Sequence, residues 1–301
     1  MSPADEAATA AVTHVLLTRF NLPTPGPESL IRAREGWLQT RWELFTTYTV
    51  PSVRAQTVQD FHWLVYVDTE SPEWLLQGIA AHEAEGLYRP LYRTAVSAED
   101  LRADIADVVG ERRELLLTTN LDNDDGLARD FVARLQAAPR PAGSRQAVYL
   151  TNGVIRSGDR LYLRVDRNNA FCSVRETWDE PVTCWHDWHV LLGQHMPVVE
   201  VGGPPAWLQV VHGTNVSNRV HGRLVSPRGL HARFPGLLAD VPEPSRSRVL
   251  LDAAVLAPAR TARDAVRAGG KAVVMKVLGK GGLDRVKLVI SRVRHRPVEA
   301  P

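Results

Sequence analysis

Residues 115–127, LLLTTNLDNDDGL, constrain this 301-residue chain more than any other segment. An apolar run typical of a buried strand is followed directly by Asp122, Asn123, Asp124 and Asp125. Three neighbouring carboxylates repel one another and lose hydration unless a positive charge lies between them. A Mg²⁺ or Mn²⁺ ion carrying a diphosphate would supply that charge, since both ions prefer oxygen ligands. The alternative is a solvated acidic turn in which Asp124 or Asp125 caps the next helix.

Around this segment, short apolar runs alternate with longer stretches of helical period, which is typical of an α/β sheet. Four strands are predicted up to the acidic residues, at 14–20, 61–67, 87–94 and 114–121. Helices are predicted between and after them, near 38–45, 73–83, 98–109 and 126–138. Further on, apolar runs at 147–152 and 161–165 flank the sequence RSGD and predict a hairpin.

Composition is that of an ordinary globular protein, with 44% hydrophobic and 23% charged residues. A net charge of +2 gives no support to a nucleic-acid partner. Cys172 and Cys184 are too few for a disulfide framework and favour a cytoplasmic location. Residues 1–12 lack the basic and apolar regions of a signal peptide, so we predict a short disordered lead there.

The last part of the chain differs from the rest in charge. We predict one main domain over residues 13–234 and a basic, helical extension over 235–301. From Leu251 onward the extension carries eleven Lys and Arg against four Asp and Glu. Apolar residues form two stripes, namely Val273, Val274, Val277 and Leu278, then Val286, Val289, Ile290 and Val293. Either these helices pack on the domain, or the extension lies peripherally on an anionic membrane surface or on a partner.

Several motifs resemble those of a known enzyme fold. Residues 51–68, PSVRAQTVQDFHWLVYVD, resemble the segment of GT-A glycosyltransferases in which a helix ends before the second strand and its terminal Asp. The similarity is closer to the bacterial family of putative rhamnosyltransferases. It is carried by RFN at 19–21, RWELF at 41–45, LDNDDGL at 121–127, FCSVRE at 171–176 and WLQVVHGTNVSN at 207–218. The likeness leaves out the basic extension.

The resemblance implies an α/β GT-A fold, a Rossmann-like mixed sheet flanked by helices, followed here by the C-terminal helical extension. It implies a metal-dependent glycosyltransferase that moves a sugar from a nucleotide-diphosphate donor to a hydroxyl of a glycan or other acceptor, with inversion. The family name suggests rhamnose as that sugar, and the cofactor would be Mn²⁺ or Mg²⁺. Two alternatives stay open: an inactive GT-A-like domain that binds nucleotide or glycan, and a sugar nucleotidyltransferase.

Candidate donor-binding residues follow the predicted strands. Ligands of open α/β sheets bind outside the carboxyl ends of strands, so Arg19, Asp68 and Asp122 would meet at one edge. Arg19 could pair with the phosphates through its planar guanidinium, and Asp68 could accept from a pyrimidine base. By resemblance, Asp122 lies near the ribose, and Asn123 beside it belongs to the same nucleotide-sugar site.

The resemblance also implies a set of metal ligands. Asp124 would bind the ion directly, and Asp122 and a late histidine, His212, would complete the site. Asp125 would either bind the ion through water or cap the following helix. The ion would neutralise the leaving diphosphate as the glycosidic bond breaks. A buried structural role is the alternative for His212.

An inverting transferase also needs a base for the acceptor hydroxyl. The candidates are Glu176 in SVRET and Asp187 in CWHDWH, and Glu176 is favoured slightly because the resemblance is better there. Either residue is alternatively an ordinary surface carboxylate. One or two tryptophans would stack on a sugar at the acceptor site, from among Trp178, Trp185, Trp188 and Trp207. Cys184, His186 and His189 offer a zinc site as an alternative use of this segment.

Overall fold

The computed structural model describes residues 12–23, 36–141, 143–212 and 220–263. The described strands are β1 (Val12–Arg19), β2 (His62–Val67), β3 (Arg89–Tyr92), β4 (Leu115–Asn120), β5 (Gly126–Leu127), β6 (Arg145–Leu150), β7 (Asn152–Ser157), β8 (Arg160–Val165), β9 (Ser173–Glu176), β10 (Val198–Val201), β11 (Trp207–Val211) and β12 (Arg223–Val225). The described α-helices are α1 (Trp37–Leu44), α2 (Val50–Arg54), α3 (Glu73–Ala84), α4 (Ala98–Val109), α5 (Phe131–Gln136) and α6 (Arg246–Leu251). A π-helical turn, Phe45–Thr49, joins α1 to α2.

The larger of two sheets has the strand order β10-β6-β9-β4-β1-β2-β3. Strands β4, β1, β2 and β3 are parallel, whereas β9 runs antiparallel to both of its neighbours, β4 and β6. Both faces of this sheet are covered, which explains why its strands read as continuous apolar runs. Since parallel strands point the same way, β1, β2 and β4 end at one edge, just after Arg19, Val67 and Asn120. We call this the carboxyl edge. The mixed sheet confirms the predicted α/β architecture.

A smaller sheet of five strands, ordered β12-β8-β7-β11-β5, accounts for two differences from the sequence predictions. The helix predicted at 126–138 forms only as α5, because Gly126 and Leu127 pair with β11 instead. The hairpin is formed by β7 and β8 around Gly158, whose φ of 57° favours glycine, while β6 joins the larger sheet. Strand β5, which follows the acidic turn in the chain, thus pairs with β11 and holds the turn next to it.

Trp207 of β11 links the two sheets. Its ring is buried, stacks on Phe171 with 5.3 Å between ring centroids, and its Nε1 donates to the carbonyl oxygen of Leu150 at 2.9 Å. On the neighbouring strand, Gly153 is the register partner of Trp207. A Cβ atom at Gly153 would lie 2.0 Å from Cδ2 of the indole, so glycine alone leaves room for the ring.

Replacing Gly153 by alanine is therefore expected to lower the free energy of unfolding by about 1–3 kcal/mol, because a buried ring must shift to admit the methyl group. Urea unfolding followed by tryptophan fluorescence measures the change. Gly202→Ala is the matched control, since a Cβ there meets nothing within 4 Å and the residue has no positive φ. Equal stability of the two variants would contradict the packing described for Trp207.

The described part of the predicted extension covers residues 235–263. Leu237 and Leu238 are buried with Leu208 of β11 in the core of the smaller sheet. The chain is then helical from 246 to 263, through α6 and a π-helical turn, Asp252–Leu256. The predicted lead, apart from Val12, and both apolar stripes of the extension lie outside the described residues. None of the described helices is long and apolar enough to cross a membrane.

Candidate active site

Three of the predicted donor-binding residues lie together at the carboxyl edge of the larger sheet. Arg19 ends β1, Asp68 follows β2, and Asp122 follows β4. Asn21 couples the first two strand ends, because its Oδ1 accepts from the backbone N–H of Asp68 at 2.9 Å. Asn123 couples the acidic turn to β1, since its amide nitrogen donates to the carbonyl oxygens of Arg19 (3.4 Å) and Phe20. The edge is therefore held by side-chain amides.

Asp124 lies between side chains that can carry a positive charge. Nε2 of His212, the residue after β11, lies 2.9 Å from Oδ2 of Asp124. Arg41 of α1 forms an ion pair with the same carboxylate and donates to Oδ1 of Asn123 at 3.2 Å. Burial opposes ionisation of Asp124, but the hydrogen bonds and charges of His212 and Arg41 outweigh it and hold its pKa below the ordinary value. Asp124 is thus a buried, ionised carboxylate.

The two flanking acids have different surroundings. Asp122 reaches solvent and accepts from the side-chain amide of Asn120 at 3.1 Å. The surrounding protein and the charge of Asp124 raise the pKa of Asp122 to about 6. Asp125 is fully buried; one of its oxygens accepts from the backbone N–H of Val210 at 2.8 Å, and the other has no hydrogen-bond partner among the described residues. Burial and the neighbouring carboxylates hold the pKa of Asp125 well above the ordinary value.

Asp125 therefore anchors the acidic turn to β11 and does not cap a helix. The following helix, α5, begins only at Phe131, and its N-cap residue is Asp130. Neither Asp124 nor Asp125 takes the capping position that the solvated-turn interpretation requires. The acidic turn is built into the junction of the two sheets.

The residues around Asp124 fit a divalent ion in their chemistry. A carboxylate oxygen and an imidazole nitrogen 2.9 Å apart have about the 3 Å spacing of two adjacent ligands in an octahedron with bonds of about 2.1 Å. In the described part of the chain, no group of three His, Cys, Asp or Glu side chains gathers around one point. Such a site suits an ion held by one or two carboxylates and by substrate phosphates, as is usual for Mg²⁺. Asp124 and His212 are the two side chains that could hold such an ion, with Asp122 two residues away.

A loop after β9 approaches the carboxyl edge. The indole nitrogen of Trp185 donates to Oδ1 of Asn120 at 2.8 Å, and the guanidinium of Arg19 lies 4.0 Å from the centroid of its ring. Asp187 follows two residues later; one oxygen accepts from the backbone N–H of Trp188 at 2.7 Å, and the other lies 3.0 Å from Nε2 of His195. Of the two candidate bases, Asp187 lies in the loop that reaches the edge.

Glu176 lies elsewhere. It pairs in register with Leu116, at the start of β4, and so at the edge opposite Asp122. Its buried carboxylate accepts from Nε of Arg145 at 2.6 Å and from the backbone N–H groups of Val182 (3.0 Å) and Thr183 (2.8 Å). Because β9 runs antiparallel to β4, it carries Glu176 away from the acids, and this placement favours Asp187 over Glu176 as the candidate base.

The four candidate tryptophans lie in different parts of the structure. Trp207 belongs to the core, and Trp178 donates to the carbonyl oxygen of Arg113, ahead of β4 and away from the carboxyl edge. Trp185 and Trp188 remain in the loop at the edge, and the side chain of Trp188 is 55% exposed. The sequence-based interpretation gave no role to Arg41 or Asn120. Arg41 stands in the RWELF motif, which was the one available signal.

A family model places the chain. The described residues form a mixed α/β fold, as the sequence predicted, and the family that the motifs resemble is the one whose model matches. The family model described as "putative rhamnosyl transferase" matches residues 13–224, and the chain belongs to that family. No curated protein matches the sequence.

The solved structures that match this chain share little sequence with it. TarS of S. aureus, residues 1–349 in complex with UDP, is 9% identical with a TM-score of 0.39, and the match covers 73% of this chain and 62% of that one. GalNAc-T7 with UDP, GalNAc and Mn²⁺ is 10% identical with a TM-score of 0.40, covering 66% and 43%. The chain thus spans 62% of the TarS fragment. Similarity this low carries no conclusion about the substrates of this chain.

Proposed function

We propose that the protein transfers a sugar, with rhamnose as the first candidate, from a nucleotide-diphosphate donor to a hydroxyl acceptor, and that Mn²⁺ or Mg²⁺ is required. The observation that carries this proposal is the contact between Asp124 and His212, 2.9 Å apart just beyond the strand end that presents Asp122. Two sheets converge to place a carboxylate and an imidazole there. Membership in a glycosyltransferase family supports sugar transfer as the reaction.

In this proposal Asp124 and His212 hold the ion. A carboxylate oxygen of Asp122 either binds the ion as well or accepts a hydrogen bond from a ribose hydroxyl. When bound, the ion supplies positive charge that stabilises the leaving diphosphate. Arg41, which contacts Asp124, provides a second positive charge beside the same phosphates. Its planar guanidinium matches phosphate oxygens in a way that a lysine would not.

The nucleotide would lie along the ends of β1 and β2, where Asp68 offers an acceptor for the base and Arg19 a cation for the phosphates. The acceptor would then enter beside the loop that carries Trp185 and Asp187, since this loop covers the neighbouring part of the edge. Asp187 would take the proton of the acceptor hydroxyl while that oxygen bonds to the anomeric carbon and the nucleoside diphosphate departs. Such a single displacement inverts the anomeric carbon.

Isothermal titration calorimetry with UDP, GDP and dTDP, each with Mn²⁺, Mg²⁺ or EDTA, tests the donor and the ion together. We expect one nucleoside diphosphate to bind with the ion present and no measurable heat with EDTA, because without the ion the negative charge of the acids beside the diphosphate is no longer offset. Failure of all three nucleotides to bind with either ion would contradict the proposal, and equal binding in EDTA would remove the metal from it. Metal-dependent binding without release of diphosphate from any nucleotide sugar would favour the inactive binding domain.

A further inference from the structure

The C-terminal helix of the described chain turns apolar residues outward. Ten large apolar side chains are exposed among the described residues, and four of them lie within residues 250–256. Leu250, Leu251, Val255 and Leu256 are 69%, 54%, 53% and 44% exposed, respectively. Helices of globular proteins normally bury such residues and leave their charges in solvent.

The inward side of the same helix is charged. Asp252 is 2% exposed, accepts from the backbone N–H of Leu224 at 2.7 Å, and forms an ion pair with Arg260 at 2.8 Å. Arg260 in turn donates to the carbonyl oxygen of Gly222 at 2.8 Å and lies 5.0 Å from the ring centroid of Tyr162. The helix is therefore held to the smaller sheet by polar contacts. Its orientation is defined, and the apolar side faces away from the protein.

The charges around this face have one sign. The three acids between residues 220 and 263 are each paired with an arginine, as Asp240 with Arg156, Glu243 with Arg228, and Asp252 with Arg260. Four exposed arginines have no acidic partner among the described residues, namely Arg223, Arg246, Arg248 and Arg263. The sequence from 264 to 301 adds nine Lys and Arg against three Asp and Glu. The described surroundings of the apolar face are thus basic, and so is the composition of the sequence that follows.

We propose that this face, residues 246–263, lies on an anionic membrane surface. Exposed leucines flanked by unpaired arginines are the features of a helix that rests in the interfacial region of a bilayer without crossing it. A second copy of this chain fits less well, because two such faces would bring their arginines together. The proposal is independent of the metal and the sugar.

Co-sedimentation of the full-length protein with lipid vesicles tests the proposal. We expect binding to vesicles of phosphatidylcholine mixed with phosphatidylglycerol, and much weaker binding to phosphatidylcholine alone. The double variant Arg246→Gln, Arg248→Gln is expected to bind the anionic vesicles about 30-fold more weakly, since each arginine near such a surface contributes separately. The double variant Leu250→Ser, Leu251→Ser is expected to lose at least about tenfold, because its apolar contacts are gone.

Trp74→Ser is the matched control, because Trp74 is an exposed apolar residue, 37% exposed, on a different helix, α3. It should bind vesicles like the wild type. Thermal unfolding and nucleotide calorimetry should be unchanged in all three variants, which separates this proposal from the proposed transfer reaction. The membrane proposal would be overturned if the wild-type protein did not bind anionic vesicles, or if the leucine variant bound them as strongly as the wild type. A dimer in analytical ultracentrifugation that the leucine variant alone dissociates while vesicle binding persists would also overturn it.

Discussion

Replacing Asp124 by asparagine is expected to lower kcat of sugar transfer by about 10²–10³-fold or more, the cost of removing one preorganised group that stabilises transition-state charge. Asparagine keeps the size of the side chain but not its charge, so the ion would lose its central ligand and Arg41 its ionic partner. Release of nucleoside diphosphate from the donor sugar, measured at saturating Mn²⁺, gives kcat directly.

Asp252→Asn is the matched control for this prediction. Asp252 is also a buried carboxylate paired with an arginine, Arg260, but it packs beside β12 of the smaller sheet and not at the carboxyl edge. Both variants should lose some stability, because each leaves a guanidinium without its partner. Only Asp124→Asn should lose turnover and the metal dependence of nucleotide binding. If Asp124→Asn turned over at the wild-type rate, the metal-ligand role of Asp124 would be excluded.

Replacing Asp187 by asparagine is expected to lower kcat at saturating donor by about 10²–10⁴-fold, the range attributed to a positioned general base. Nucleotide binding should be unchanged, because Asp187 lies in the loop and not among the acids after β4. The measurement is transfer to the acceptor under single-turnover conditions. A small effect on kcat would argue against Asp187 as the base and would favour His195, whose Nε2 lies 3.0 Å from Asp187.

Glu176→Gln is the comparison that separates a base from a structural carboxylate. Its carboxylate accepts three hydrogen bonds in a buried position, so the amide would leave at least one donor unsatisfied. We expect the free energy of unfolding to fall by about 1–3 kcal/mol while kcat of the folded enzyme stays near the wild-type value. A large loss of kcat without a loss of stability would restore Glu176 as the base.

Much of the fold was predictable from local patterns. Apolar runs located β1, β2 and β4 to within about two residues, and the helix predicted near 98–109 formed as Ala98–Val109, which the structure shows to be capped by Ser97. The errors occurred where a distant strand competed for the backbone. Gly126 and Leu127 have helix-compatible neighbours but pair with β11, and no local pattern contains that partner.

The candidate site divides in the same way. The sequence by itself determined that acids follow a buried strand, and parallel strands place Arg19, Asp68 and Asp122 at a common edge because their carboxyl ends coincide. Only the tertiary structure decided what each acid contacts. Asp124 contacts Arg41 and His212. Asp125 is buried and accepts a hydrogen bond from Val210. The antiparallel direction of β9 carries Glu176 to the opposite edge. Strand order and direction set these contacts, and both depend on pairings between residues far apart in the chain.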